Sequence, residues 1–97
     1  MSFILKLSKP VTKLEHRSKA EIISQILEVA KLDLNGIGKT KIMYFTNLSF
    51  AQSKEYLQLV LDRELLEYDK AGKRYRLTQK GVEYLEMFRK TKSIIDT

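Results

Sequence analysis

Four cations fall within seven residues at Lys70, Lys73, Arg74 and Arg76, between two short apolar runs. Charged donors at this density suit phosphate oxygens, with the arginine fork able to take two oxygens at once. The same charges would also keep an edge hairpin soluble. Lys39 and Lys41 make a second basic pair, directly after Gly36-Ile37-Gly38. The string from Gly36 to Thr40 approaches a phosphate-binding loop. That motif needs glycine where Asp33 stands, and a strand where a helical pattern precedes it, so nucleotide hydrolysis is set aside. His16 is the one histidine, there is no cysteine, and no acidic cluster stands at ligand spacing beside it. The carboxylates Asp62, Glu64 and Glu67 lie at a helix end beside a hairpin, without a cleft to set one apart as acid and another as base. No catalytic residue, no cofactor and no metal site is expected.

These cations need elements to hold them. Ser18-Lys19-Ala20-Glu21 has the form of a capping box, and Ile22, Ile23, Ile26, Leu27, Val29 and Ala30 follow at helical spacing. Asn35-Gly36-Ile37-Gly38 is the expected stop of that helix. Lys39 to Thr46 reads as a short second helix, with Ile42, Met43 and Phe45 available for burial. Asn47-Leu48 makes a tight turn, and Ser49 caps a third helix to about Leu65. Phe50, Tyr56, Leu57, Val60 and Leu61 are its expected inner face, with Gln52, Ser53, Glu55, Gln58 and Asp62 on the other. Leu66–Tyr68 and Tyr75–Leu77 read as two strands, and Thr78 caps a fourth helix striped with Val82, Leu85 and Phe88. Residues 1–17 form an arm or edge strand with Phe3, Leu5 and Leu7 alternating before Pro10.

With 97 residues, 43% hydrophobic and 31% charged, the chain fits one globular domain and excludes wholesale disorder. The absence of cysteine excludes a disulfide scaffold and thiol catalysis. The net charge of +6 points to a polyanion. It is unevenly placed: residues 1–41 carry +4, residues 42–69 carry −3 and residues 70–97 carry +5. A polyanion site is therefore expected to draw on both ends of the chain. No stretch reaches the about 20 apolar residues a membrane span needs, and Lys6 interrupts the one signal-like run, so an intracellular soluble protein is expected.

Helix, short helix, turn, helix, hairpin, helix is the element order of a winged helix-turn-helix, mainly α with a small β-hairpin. There the second helix of the turn unit enters the DNA major groove and the hairpin, or wing, touches the adjacent backbone. Lys39-Thr40-Lys41-Ile42-Met43-Tyr44 followed by Asn47-Leu48-Ser49-Phe50 resembles the helix-turn-helix of the Sulfolobus "ten-a" proteins, small archaeal winged-helix DNA-binding proteins. Residues 18–28 and Leu77-Thr78-Gln79-Lys80-Gly81 are similar to that family's first helix and post-wing segment. The resemblance implies a cytoplasmic, nucleoid-associated homodimer on double-stranded DNA, in a chromatin-like or regulatory role. Unlike those proteins, the chain has the arm 1–17 and a shorter final helix.

The expected organisation is an arm over 1–17, a winged domain over 18–80, and an extended C-terminal helix over 81–97 for dimerisation. The recognition helix is about 49–65 and the wing about 66–77. Lys39, Lys41, Ser49, Gln52, Ser53, Lys70, Lys73, Arg74 and Arg76 are the candidate DNA contacts; Tyr84, Leu85, Phe88 and Ile95 are the candidate dimer seam. Neither membrane nor small-molecule substrate is expected as a partner. The rival reading is a winged-helix module that binds protein instead of DNA, with RNA binding a weaker third.

Overall fold

The computed structural model of the chain describes residues 17–96, with side-chain positions through residue 91. Residues 1–16 of the arm, His16 included, and the side chain of Ile95 lie outside these. Helix α1 (Lys19–Ala30) starts on the expected reciprocal cap: the Ser18 N–H donates to Glu21 Oε1 at 2.8 Å, and the Glu21 N–H to Ser18 Oγ at 3.1 Å. It ends at Ala30, five residues before Asn35. Asp33 supplies the reason. Its carboxylate accepts the Asn35 N–H and its carbonyl accepts the Gly36 N–H, both at 2.9 Å. Such local bonds offer the backbone an alternative to helix, and Leu32 and Leu34 are left exposed.

Helix α2 (Lys39–Thr46) buries Ile42 fully. It closes on Asn47, which takes the left-handed conformation at φ 57°, and the Leu48 N–H reaches back to the Met43 carbonyl. Helix α3 (Phe50–Asp62) follows at once, and buries Tyr56, Leu57 and Val60. It stops short of Leu65 because Glu64 turns left-handed at φ 62°, and the Leu65 N–H returns to the Val60 carbonyl at 2.9 Å. Two expectations of burial fail here: Phe45 and Phe50 are both more than half exposed. Phe50 is the first residue of its helix and projects past the edge of the core.

Strands β1 (Leu66–Asp69) and β2 (Arg74–Leu77) pair antiparallel with Leu66 opposite Leu77 and Tyr68 opposite Tyr75. The outer edge of β2 is also used. Ile37 and Tyr75 exchange both backbone hydrogen bonds, at 2.9 and 2.8 Å, so the loop before α2 adds a one-residue third strand. Helix α4 (Gln79–Asp96) begins where Thr78 Oγ1 accepts the Gly81 N–H at 3.0 Å. Gly81 passes so close to the Leu65 carbonyl that a Cβ would lie 2.3 Å from its oxygen. α4 packs along α1, tied by Arg89 to Glu28 at 2.7 Å, and seats Leu85 in the core beside Ile26, Leu27 and Leu66. Four helices and one hairpin thus share a single core, with α1 touching α2, α3, α4 and β2.

Candidate nucleic-acid interface

The turn between α2 and α3 is rigid for reasons visible in its residues. Thr46 is buried and its hydroxyl donates to the Ile42 carbonyl at 2.6 Å. Leu48 is buried beneath the turn, and the Arg17 guanidinium donates to the Thr46 carbonyl at 2.8 Å and to Gln25 Oε1. Burial pulls the Arg17 pKa below the usual arginine value, with Glu21 and then Tyr56 opposing. Helix α3 is therefore held at a fixed angle to α2, with its N-terminal turn facing out.

The cations gather at the N-terminal end of α2, where the hairpin meets it. Lys39 and Lys41 of α2 meet Lys73 and Arg74 of the hairpin around one open recess of about 460 Å³, lined also by Asp33, Gly36 and Gly38. The Ile37–Tyr75 pairing is what brings them together, since it fixes the start of α2 against β2. Lys39, Lys41, Lys73 and Arg74 have no carboxylate partner among the described residues, and Lys70 extends the same charge along the hairpin turn. Arg76 differs. Its guanidinium lies 3.1 Å from Glu67 and 3.5 Å from Asp69, both on the neighbouring strand. The cross-strand register places Glu67 directly opposite Arg76, while Asp69, opposite Arg74, meets Arg76 diagonally on the same face.

Helices α2 and α3 joined by a left-handed asparagine, α1 packed across both, and a basic hairpin after α3 define a known domain type. Residues 16–96 match a family described as winged helix-turn-helix. The chain belongs to that family. Comparison with curated proteins returns no match.

In winged-helix terms, α3 is the recognition helix and β1–β2 the wing. Several expected contact residues occupy other roles. Ser53 is fully buried, and its hydroxyl donates to the Phe50 carbonyl at 2.8 Å, so it cannot reach a base; its small side chain fills a gap under α3. This corrects its placement on the outer face. Ser49 and Gln52 are exposed but bonded to each other: Gln52 Oε1 accepts the Ser49 N–H at 3.0 Å, and Ser49 Oγ accepts the Gln52 N–H at 3.1 Å. On the same face Gln58 is turned onto Asp62 at 2.8 Å. Leu85 is 2% exposed in the domain's own core, which removes it from any dimer seam. Tyr84 is half-buried, with its hydroxyl 3.4 Å from the Ala20 carbonyl and its ring stacked on Phe88.

The polar count of α3 hid what the recognition turn does expose. Tyr44 is 79% and Phe50 62% exposed, with Lys39 Nζ 4.1 Å from the Phe50 ring centroid. A signal was present: with Ser49 and Gln52 matched as a capping box, the residue between cap and first turn is Phe50, beyond the buried stripe. Among the described residues no three His, Cys, Asp or Glu gather to hold a metal, and no helix is long and apolar enough to cross a membrane.

Proposed function

We propose that this chain binds double-stranded DNA, with α3 in the major groove and the wing on the flanking backbone. One observation carries this: Lys39, Lys41, Lys73 and Arg74, distant in sequence, converge with a single carboxylate, Asp33, on one recess where α2 meets the wing, and none of the four is held in an ion pair among the described residues. Winged helix-turn-helix membership supports it, since docking in this class places a helix in the groove and basic side chains on phosphates. The likeness to the Sulfolobus "ten-a" proteins supports the finer reading: a nucleoid-associated, chromatin-like or regulatory homodimer, dividing at about residue 80 into a DNA-binding unit and a dimerising helix. With Leu85 committed to the core, the dimer seam falls on Phe88 and the turns of α4 beyond it.

Fluorescence anisotropy on a random duplex across a salt series tests the proposal. Five unpaired cations (Lys39, Lys41, Lys70, Lys73 and Arg74) give a slope of log K against log salt near −4.5 per domain, at about 0.9 per phosphate contact. Raising salt from about 50 to about 200 mM should then weaken binding roughly 500-fold. No binding at the low-salt end refutes the reading and favours a protein partner; a stronger response to duplex RNA shifts the function to RNA.

A further inference from the structure

The recognition turn presents apolar surface where hydrogen-bonding side chains would be expected. Phe50 opens α3, the end of the helix that enters a major groove most deeply. Around it Ser53 is buried, and Ser49 Oγ and Gln52 Oε1 are engaged as acceptors of backbone N–H groups in the cap. Phe50 and Tyr44 instead flank a shallow recess of about 630 Å³, floored by Met43 and Leu48. None of the described chain covers it. Two largely exposed rings are costly to leave in water, and only Lys39 over Phe50 and the edge of Phe45 against Tyr44 offset that cost.

The rim of this surface says what it fits. Lys39 stands over the Phe50 ring, and Lys41 and Lys54 are exposed on the same two helices. An apolar centre with Lys39 on its rim and further cations on the same helices complements an apolar group set between phosphate walls. In the major groove that group is the C5-methyl of thymine, the one hydrophobic feature any base pair offers there. We propose that Phe50, with Tyr44, reads thymine methyl groups, so that hydrophobic contact contributes to sequence preference. This deepens the duplex-binding reading above and rests on it.

The test uses the full chain and matched duplexes in the same anisotropy assay at one salt concentration. One pair carries thymine or deoxyuridine at every A·T step; a second G·C pair carries cytosine or 5-methylcytosine, which puts a methyl at the same groove position. The expected result is about fourfold tighter binding for each methyl seated on the patch, in both pairs. Phe50→Ala should bring the thymine duplex down to the deoxyuridine level; circular dichroism confirms that this exposed substitution leaves the helices intact. Equal affinity of the native chain for thymine and deoxyuridine duplexes overturns the inference while leaving duplex binding standing. So does a methyl preference that survives in both Phe50→Ala and Tyr44→Ala. Tighter binding to single-stranded oligothymidine than to the duplex overturns it in favour of base stacking. Failure to bind any duplex removes the proposed function itself, a distinguishable outcome.

Discussion

Gly36→Ala strikes the joint that holds wing and helix-turn-helix together. Gly36 has φ +121°, a region L side chains rarely enter, and an added Cβ would lie 2.6 Å from Arg74 Cβ. That neighbour is bonded to the β2 backbone and cannot swing aside. Either residue 36 changes conformation or β2 retreats. The first route costs about 1–3 kcal/mol in backbone strain. The second breaks the two Ile37–Tyr75 hydrogen bonds, about 1 kcal/mol each. Whichever route is cheaper sets the cost, about 2 kcal/mol, against a total stability of about 5–15 kcal/mol for a domain of this kind. The melting temperature should drop by about 8–16 °C, at about 4–8 °C per kcal/mol for this size. Thermal melts followed by circular dichroism read this directly. Gly38→Ala is the control, since its Cβ would meet nothing within 4 Å and its φ is −74°. It should lose less than about 1 kcal/mol, the difference between Gly and Ala at an N-cap. A Gly36→Ala melt within a few degrees of the Gly38→Ala melt refutes the joint.

Arg74→Ala should lower the salt slope of DNA binding by about 0.9, while Arg76→Ala leaves it unchanged because Glu67 and Asp69 already hold that guanidinium. Equal slope losses in the two variants sink this division of labour. Burial, and secondarily Tyr68, raises the Tyr75 pKa; burial raises that of Tyr84 against a smaller opposing effect of Arg63. Folding therefore keeps protons on both phenols that the unfolded chain gives up at about pH 10. Their contribution to stability is full below that pH and is lost as pH rises through the folded values. Urea midpoints should fall across this window, and fall less in Tyr75→Phe with Tyr84→Phe; identical curves for native and double variant contradict it. Light scattering should give about twice the 11.3 kDa chain mass, with Phe88→Asp giving monomer. If Phe88→Asp remains dimeric, the seam lies elsewhere than α4.

What could be read from the residues alone was whatever rests on neighbours in sequence. The box at Ser18 and Glu21, the span Lys39–Thr46, the asparagine turn and the Ser49 cap all depend on groups within four positions, and each stands where its residues place it. The hairpin followed from period-two alternation around a polar turn. Errors arose where a distant partner decides. Ser53 looks like a surface residue by type, yet it is the small side chain that lets α3 approach its neighbours. Phe45 and Phe50 look like core residues by type, yet they stand beyond the core's edge. Arg76 could not be told from Arg74 until the register set it between two carboxylates. The Ile37–Tyr75 pairing left no local pattern, because a strand of one residue has no period.

That single pairing also orders events in time. Roughly 40 residues separate Ile37 from Tyr75, so a ribosome adding about 5–20 residues per second needs about 2–8 s to deliver the second partner after the first. Helix-coil relaxation is over within about a microsecond, leaving α1, α2 and α3 long to wait. Through that interval the sides of α1 destined for β2 and α4 face water, since Leu66 and Leu85 have not yet been made. The nascent chain, more than the finished protein, is then the species open to chaperone capture or aggregation. Synonymous codons that slow translation between residues 37 and 75 would lengthen that exposure without altering one atom of the product.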